Sequence, residues 1–267
     1  MQATTLLRSD AALPAVDQHS LYPLRRLNLI MAAAHAISAS AMLYLSNDFS
    51  ITIASLFRNA QPGAGLAPDR LAVAFEFPLA TGTVGFLYLS AFFHLLIASP
   101  LGWSRYRQEL TDEINRFRWV EYALSSTLMI IVIALLTGIQ DIAALIALSG
   151  ANVAMILFGW IMEVTNPPCR SRTWWTPFVM GAIVGAVPWT TIAIYIVGGG
   201  SDVPNFVYAI FVSIFLLFNC FAINQWLQYR RIGRWHNYLF GERAYIWLSL
   251  TAKSVLAWQI FANTLVI

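Results

Sequence analysis

Two charged side chains fall where charges are rarely kept. Glu121 and Lys253 each sit inside a long apolar run, and Lys253 is the single lysine beside fifteen arginines. Even on a lenient scale a charge at the bilayer centre costs about 2.5–3.5 kcal/mol, so each needs a partner or a task. They suit each other in depth. Glu121 lies nine residues after Asp112 and Lys253 ten after Arg243. On two parallel helices rising about 1.5 Å per residue, that makes the side chains level. One reading is a buried ion pair that fixes helix packing, although such pairs stabilise poorly once desolvation is counted. The other makes the lysine a nucleophile, because burial favours the neutral amine, which condenses with an aldehyde to a Schiff base. The protonated imine is then a buried cation, and a carboxylate such as Glu121 keeps it protonated.

The neighbours suit a ligand pocket. Ser249 precedes Lys253 by one helical turn and Ser125 follows Glu121 by one turn, so a small hydroxyl flanks each charge and is placed to bond the pair. Trp119, Tyr122, Met155, Trp189 and Phe218 lie in several apolar runs and suit the wall of an elongated apolar ligand, although each also suits ordinary helix packing. Pro188, beside Trp189, interrupts a helical hydrogen-bond ladder and opens space there. His35 and His94 fall within two further runs, where they suit a polar, water-holding cavity with Asn28, Ser38 and Ser90. Taken singly, each also suits a hydrogen-bonded interior histidine. No His-x-x-x-His or similar close pair points to a metal.

The elements that must position these residues are spanning helices. With 58% hydrophobic and 11% charged residues and a mean hydropathy of +0.64, the 267-residue chain reads as a membrane protein. A span needs about 20 mostly apolar residues. Seven such stretches fall at roughly 27–46, 78–99, 117–137, 142–162, 175–197, 204–228 and 244–265. The expected fold is therefore an all-α bundle of seven transmembrane helices forming one domain over residues 1–267. The first 26 residues lack the apolar core of a signal peptide and read as a retained tail. In the first connection, 50–57 and 71–77 alternate as strands do, with Pro62, Gly63, Gly65 and Pro68 between them. A small extracellular β-hairpin that leaves Glu76 outside the hydrocarbon is expected there; the alternative is that 70–77 lengthens the second helix.

Thirteen arginines fall in the N-terminal tail and in the second, fourth and sixth connections, against Arg58 and Arg70 on the other side. Basic residues are retained in the cytoplasm, which puts the N-terminus inside and the C-terminus outside. Glu163 and Glu242 then count with the cytoplasmic loops, and the interior is expected to hold one acid, Glu121, and one base, Lys253. The basic residues form no continuous face for nucleic acid, and Cys169 and Cys220 lie in different surroundings that say little about redox compartment.

The stretches Arg118-Trp119-Val120-Glu121-Tyr122-Ala123-Leu124-Ser125-Ser126 and Leu248-Ser249-Leu250-Thr251-Ala252-Lys253-Ser254 strongly resemble the heliorhodopsins, and the resemblance extends over essentially the whole chain. It implies that Lys253 binds all-trans retinal covalently, with Glu121 as the Schiff-base counterion and Ser249 as its neighbour one turn earlier. It further implies that His35, Ser90 and His94 belong to a cytoplasmic polar cavity. Trp119, Tyr122, Ser126, Asn152, Met155, Trp189, Phe218 and Gln225 become candidates for the retinal pocket or for the layer behind it. The resemblance also implies a homodimer in a lipid membrane.

Ordinary microbial rhodopsins that pump protons carry several interior carboxylates, one of them a turn before the retinal lysine, where this chain has Ser249. The expectation is thus a light sensor rather than a pump or an enzyme, in which isomerisation to 13-cis moves a proton from the imine into the polar cavity. Rearranged helices then present a changed cytoplasmic surface to a partner or lipid that the sequence does not identify. Three other readings stand beside it. One is a metal-dependent lipid hydrolase, N-terminus inside, that uses His35, His94 and Glu121. Another is a light-driven ion transporter. The third is a transporter that switches the Glu121–Lys253 pair, which has no internal repeat to support it.

Overall fold

The computed structural model describes residues 18–56 and 71–266. The apolar runs become helices α1 (Gln18–Leu45), α2 (Leu79–Ala98), α4 (Arg116–Leu136), α5 (Ile142–Val164), α6 (Thr176–Gly199), α7 (Asn205–Arg230) and α8 (Tyr238–Ile260). Their starts are marked by polar caps on free backbone N–H groups. Asn115 accepts from Arg118 N at 3.0 Å, Asp141 from Ala144 N at 3.0 Å and Asn237 from Leu239 N at 2.9 Å. Among the described residues, six helices are long and apolar enough to cross a membrane. The seventh, α8, is long enough but carries Glu242, Arg243 and Lys253, which lower its apolarity. It begins at Tyr238 rather than near 244, and α1 begins well before residue 27.

One helix was not anticipated: α3 (Pro100–Thr111) lies in what reads as a polar connection. Ser99 caps it with Pro100 in the first turn, and its buried Trp103, Tyr106 and Leu110 repeat at helical spacing. The corner between α2 and α3 is tight, since a Cβ on Gly102 would run into the carbonyl of Leu96.

Strands β1 (Ser50–Leu56) and β2 (Leu71–Pro78) pair antiparallel, with Ile51 opposite Phe77 and a bulge after Ile53. The hairpin is thus present, and β2 runs directly into α2 without becoming part of it. Glu76 accepts a 2.7 Å hydrogen bond from Thr52 Oγ1 across the pair. The turn with its glycines and prolines, together with Arg58 and Arg70, lies outside the described residues.

The hairpin marks one end of the bundle. Ala54 N donates to Gln140 O, at the turn between α4 and α5, and Asn47 N donates to Leu265 O just beyond α8, each at 3.0 Å. At the opposite end α1 begins, α3 lies, and α4 and α8 start. Between Lys253 and the hairpin end the core is apolar, formed by Met42, Phe86, Leu87, Ile130, Ile133, Ile214, Leu256 and Ile260, all buried. Two threonines there, Thr83 and Thr137, return their hydroxyls to backbone carbonyls of their own helices at 2.8 Å. Toward the opposite end the buried positions turn polar: Asn28, His94, Arg118, Asn224, Gln225 and Glu242.

Candidate functional site

α4 and α8 bring the two interior charges together. Lys253 Nζ lies 3.0 Å from Glu121 Oε1 and donates to Ser249 Oγ at 2.6 Å. Both residues are buried, with 3% and 5% of their surfaces exposed. Glu121 Oε1 also accepts a 2.6 Å hydrogen bond from Ser90 Oγ on α2. The ring of Tyr122 sits 5.2 Å below the ammonium. Ser249 holds its expected place because residues four apart share a helix face. Ser125 does not: it is fully buried, but its hydroxyl has no partner and does not bond the pair. The second hydroxyl comes from another helix, Ser90 of α2, which sequence spacing cannot reveal.

Beside the pair lies a cavity of about 320 Å³, walled by α4, α5, α6, α7 and α8. Trp119, Tyr122, Ser126, Met155, Trp189, Phe218, Gln225, Ser249 and Lys253 all line it. Asn152 stands behind the wall, donating to Ser126 Oγ at 2.8 Å and to Thr127 Oγ1 at 2.9 Å. The aromatic side is rigid, since Trp189 meets Phe218 edge to face at 5.3 Å and Tyr122 meets Phe221 likewise at 5.3 Å. Helix α6 continues through Pro188. The wall also uses glycines that sequence reading missed, which let the Met155 and Trp119 side chains lie close against neighbouring helices. A Cβ on Gly185 would strike the Met155 side chain, and one on Gly159 the Trp119 ring. The four-residue spacing of Gly181 and Gly185, which puts both on one helix face, was their available signal. The size falls in the range of small-molecule sites, about 300–1,000 Å³, and the wall is apolar with few polar atoms. An elongated apolar aldehyde fits this chemistry: greasy walls along its length and one buried primary amine at the wall.

The predicted polar cavity is only partly assembled. A space of about 30 Å³ is lined by Asn28, His94, Glu121, Ser249 and others, large enough for about two waters at ~10–15 Å³ each. His94 Nδ1 bonds Asn28 Oδ1 at 2.7 Å. His35 is fully buried, stacks on His94 with ring centres 5.8 Å apart, and has no hydrogen-bond partner among the described residues for either ring nitrogen. Ser38 is elsewhere, accepting from Trp258 Nε1 at 3.1 Å. No group of three or more His, Cys, Asp or Glu side chains suited to a metal occurs among the described residues, so the hydrolase constellation of His35, His94 and Glu121 is not assembled.

The expectation of one interior acid and one base is overturned. Glu163 and Glu242, counted as loop residues, are 2% and 1% exposed, and Arg118 is 5% exposed. Arg118 bonds both carboxylates, Glu163 through Nη2 and Glu242 through Nη1. Glu163 also accepts from Trp119 Nε1 and from Asn115 N at 3.0 Å. These residues stand at the ends of apolar runs, where sequence alone makes a solvated charge the ordinary outcome. Three helix ends converge here and exclude water instead. On the same side but outside the spans, burial pushes the Tyr106 phenol up to about 12.

A family model, Heliorhodopsin, matches residues 24–265. No curated protein matches the chain well enough to count as a relative. Among solved structures, a light-driven proton pump from Leptosphaeria maculans is similar at 14% identity, covering 90% of this chain and 94% of its own, with a TM-score of 0.64. Cyanorhodopsin from the cyanobacterium Tolypothrix is similar at 13% identity, covering 92% and 93%, with a TM-score of 0.57. At such identities these two likenesses speak for the fold alone.

Proposed function

The chain belongs to the heliorhodopsin family, and on that premise we propose that this integral membrane protein is a light sensor built on Lys253 and Glu121. The observation that carries the reading is the 3.0 Å Lys253–Glu121 pair in a chain whose Lys253 also lines a 320 Å³ apolar cavity. Lys253 would hold all-trans retinal as a protonated Schiff base, and the bound group would supply light absorption and isomerisation to 13-cis. Glu121 holds positive charge at the Lys253 nitrogen, and Ser249 and Ser90 orient the two groups through their 2.6 Å hydrogen bonds. Trp189, Phe218, Met155 and Tyr122 confine the chromophore, with Gly159, Gly181 and Gly185 in the same wall. The small cavity lined by Glu121, Ser249 and His94 would receive a proton leaving the Lys253 nitrogen.

A sensor is favoured over a pump because the buried ionisable residues lie at the level of the pair or on the side away from the hairpin, among them His94, Arg118, Glu163 and Glu242. Between Lys253 and the hairpin the buried polar side chains are uncharged, Ser126, Asn152, Thr83 and Thr137 among them, and offer a proton no titratable acceptor. Among the described residues twelve arginines lie on the side opposite the hairpin, which supports a cytoplasmic assignment of that side, with the N-terminus inside and the C-terminus outside. Rearranged helices there signal to a partner or to lipid. The resemblance carries further to a homodimer, which a crosslinking ladder in native membranes tests. Expression with all-trans retinal yields a coloured protein, and Lys253→Ala abolishes the colour. A sustained light-driven pH change in cells, absent from Lys253→Ala, overturns the sensor reading and restores the transporter.

A further inference from the structure

We propose that the buried Arg118–Glu163–Glu242 cluster is a second proton site: it keeps one proton at rest, on Glu242, and delivers it across the small cavity to the Lys253 nitrogen. The delivery step rests on the light-sensor reading; the retained proton does not.

Two carboxylates share one guanidinium, and neither has another cation within ion-pair distance among the described residues. The titratable and charged groups facing them are His94 from α2, Tyr106 from α3, Arg118, Glu121 and Tyr122 from α4, Tyr229 from α7, and Tyr238 and Tyr245 from α8. Arg118 is the cation of that set. With both acids ionised the cluster carries one uncompensated negative charge on side chains that are almost wholly buried, which is costly even beside a space for one or two waters. One retained proton makes it neutral.

The donors decide where that proton resides. Glu163 accepts from Arg118, Trp119 Nε1 and the backbone N–H of Asn115, with Tyr238 Oη at 3.5 Å. Glu242 has two donors, Arg118 and Asn115 Nδ2 at 2.8 Å. Negative charge is better held where donors are more numerous, so Glu163 is the anion and Glu242 the acid. A further sign is Arg118 Nε, buried and without a protein partner, in a residue that lines the small cavity. That space has room for a water within its volume of about 30 Å³. Glu242, Arg118, Glu121 and Ser249 all line that one space, which links the cluster to the hydroxyl that holds Lys253 Nζ.

The step balances as a proton transfer. The O–H bond of Glu242 breaks and an N–H bond at the Lys253 nitrogen forms through cavity water, while the electron pair stays on the Glu242 carboxylate beside Arg118. Glu242 then regains a proton from the same side of the bundle, so no net transport results.

The test is infrared spectroscopy of the purified full chain, first in the dark without retinal. Wild type should show a protonated carboxylic-acid band that shifts in heavy water. Glu242→Gln and Glu163→Gln should each remove it, because either change leaves one carboxylate for one arginine, and Glu121→Gln should leave it. Glu242→Asp should move the band and Glu163→Asp should not, which also covers a glutamine variant that fails to fold. Absence of the band in wild type, or its survival in either glutamine variant, overturns the retained proton. With retinal bound, illumination should bleach the band, and Glu242→Gln should slow dark recovery about 10²-fold, the low end for a positioned proton donor. A dark band that light leaves unchanged in a coloured protein overturns the delivery. If no colour forms, the light-sensor reading fails while the dark band still reports the proton.

Discussion

Glu121→Gln separates the charge of the carboxylate from its shape. Glutamine keeps an oxygen able to accept the 2.6 Å hydrogen bond from Ser90 and fills nearly the same volume, so the perturbation is electrostatic. At the 3.0 Å separation of Lys253 Nζ and Glu121 Oε1, two unit charges attract by about 5–6 kcal/mol at an effective dielectric of about 20. Excitation carries positive charge away from the imine nitrogen, and doubling its distance from the carboxylate halves that attraction. Glu121 therefore stabilises the ground state over the excited state by about 3 kcal/mol. Its removal should lower the excitation energy by a similar amount, a shift to the red of a few per cent of the photon energy. The assay is the absorption spectrum of the purified pigment, with acid added if the imine has lost its proton. Glu163→Gln, farther from Lys253, is the control and should leave the colour nearly unchanged. An unshifted spectrum in Glu121→Gln with retinal bound and protonated would refute Glu121 as the counterion.

Other outcomes follow from the same geometry. Arg118→Gln leaves two buried carboxylates without their cation and should cost about 3–5 kcal/mol, read as loss of folded protein on size-exclusion chromatography. Ser90→Ala removes a 2.6 Å hydrogen bond to a carboxylate and should cost about 1.5–3 kcal/mol, seen as earlier thermal bleaching of the pigment. Gly185→Val places atoms where Met155 stands, so pigment yield should collapse while circular dichroism keeps its helical signal. For Tyr106, held at about 12 by burial, the raised value favours the neutral phenol in the fold. That contribution is full below about pH 10 and is lost as pH rises toward 12. Relative to Tyr106→Phe, wild type should lose roughly 2–3 kcal/mol over that window, and matching alkaline unfolding curves would count against it.

The parts of the fold that were legible are those set by local signals. Seven apolar runs and the alternation of 50–57 and 71–77 are read from adjacent residues, and each became the expected element. Helix α3 was legible too, in Ser99-Pro100 and the spacing of Trp103, Tyr106 and Leu110, but four arginines in and after it made it read as a loop. The matched depth of Glu121 and Lys253 was available because depth is counted along a single helix. Ser249 followed by the same arithmetic.

What the sequence by itself determined, then, is which residues share a level and which share a helix face, since rise and turn are properties of one helix. The tertiary structure decided which faces meet. Ser90 reaches Glu121 across 31 positions, and Arg118 gathers Glu163 and Glu242 across 45 and 124. A charge at the end of an apolar run is solvated or buried according to its neighbours on other helices. Those neighbours are chosen by packing between helices, which no spacing along the chain encodes.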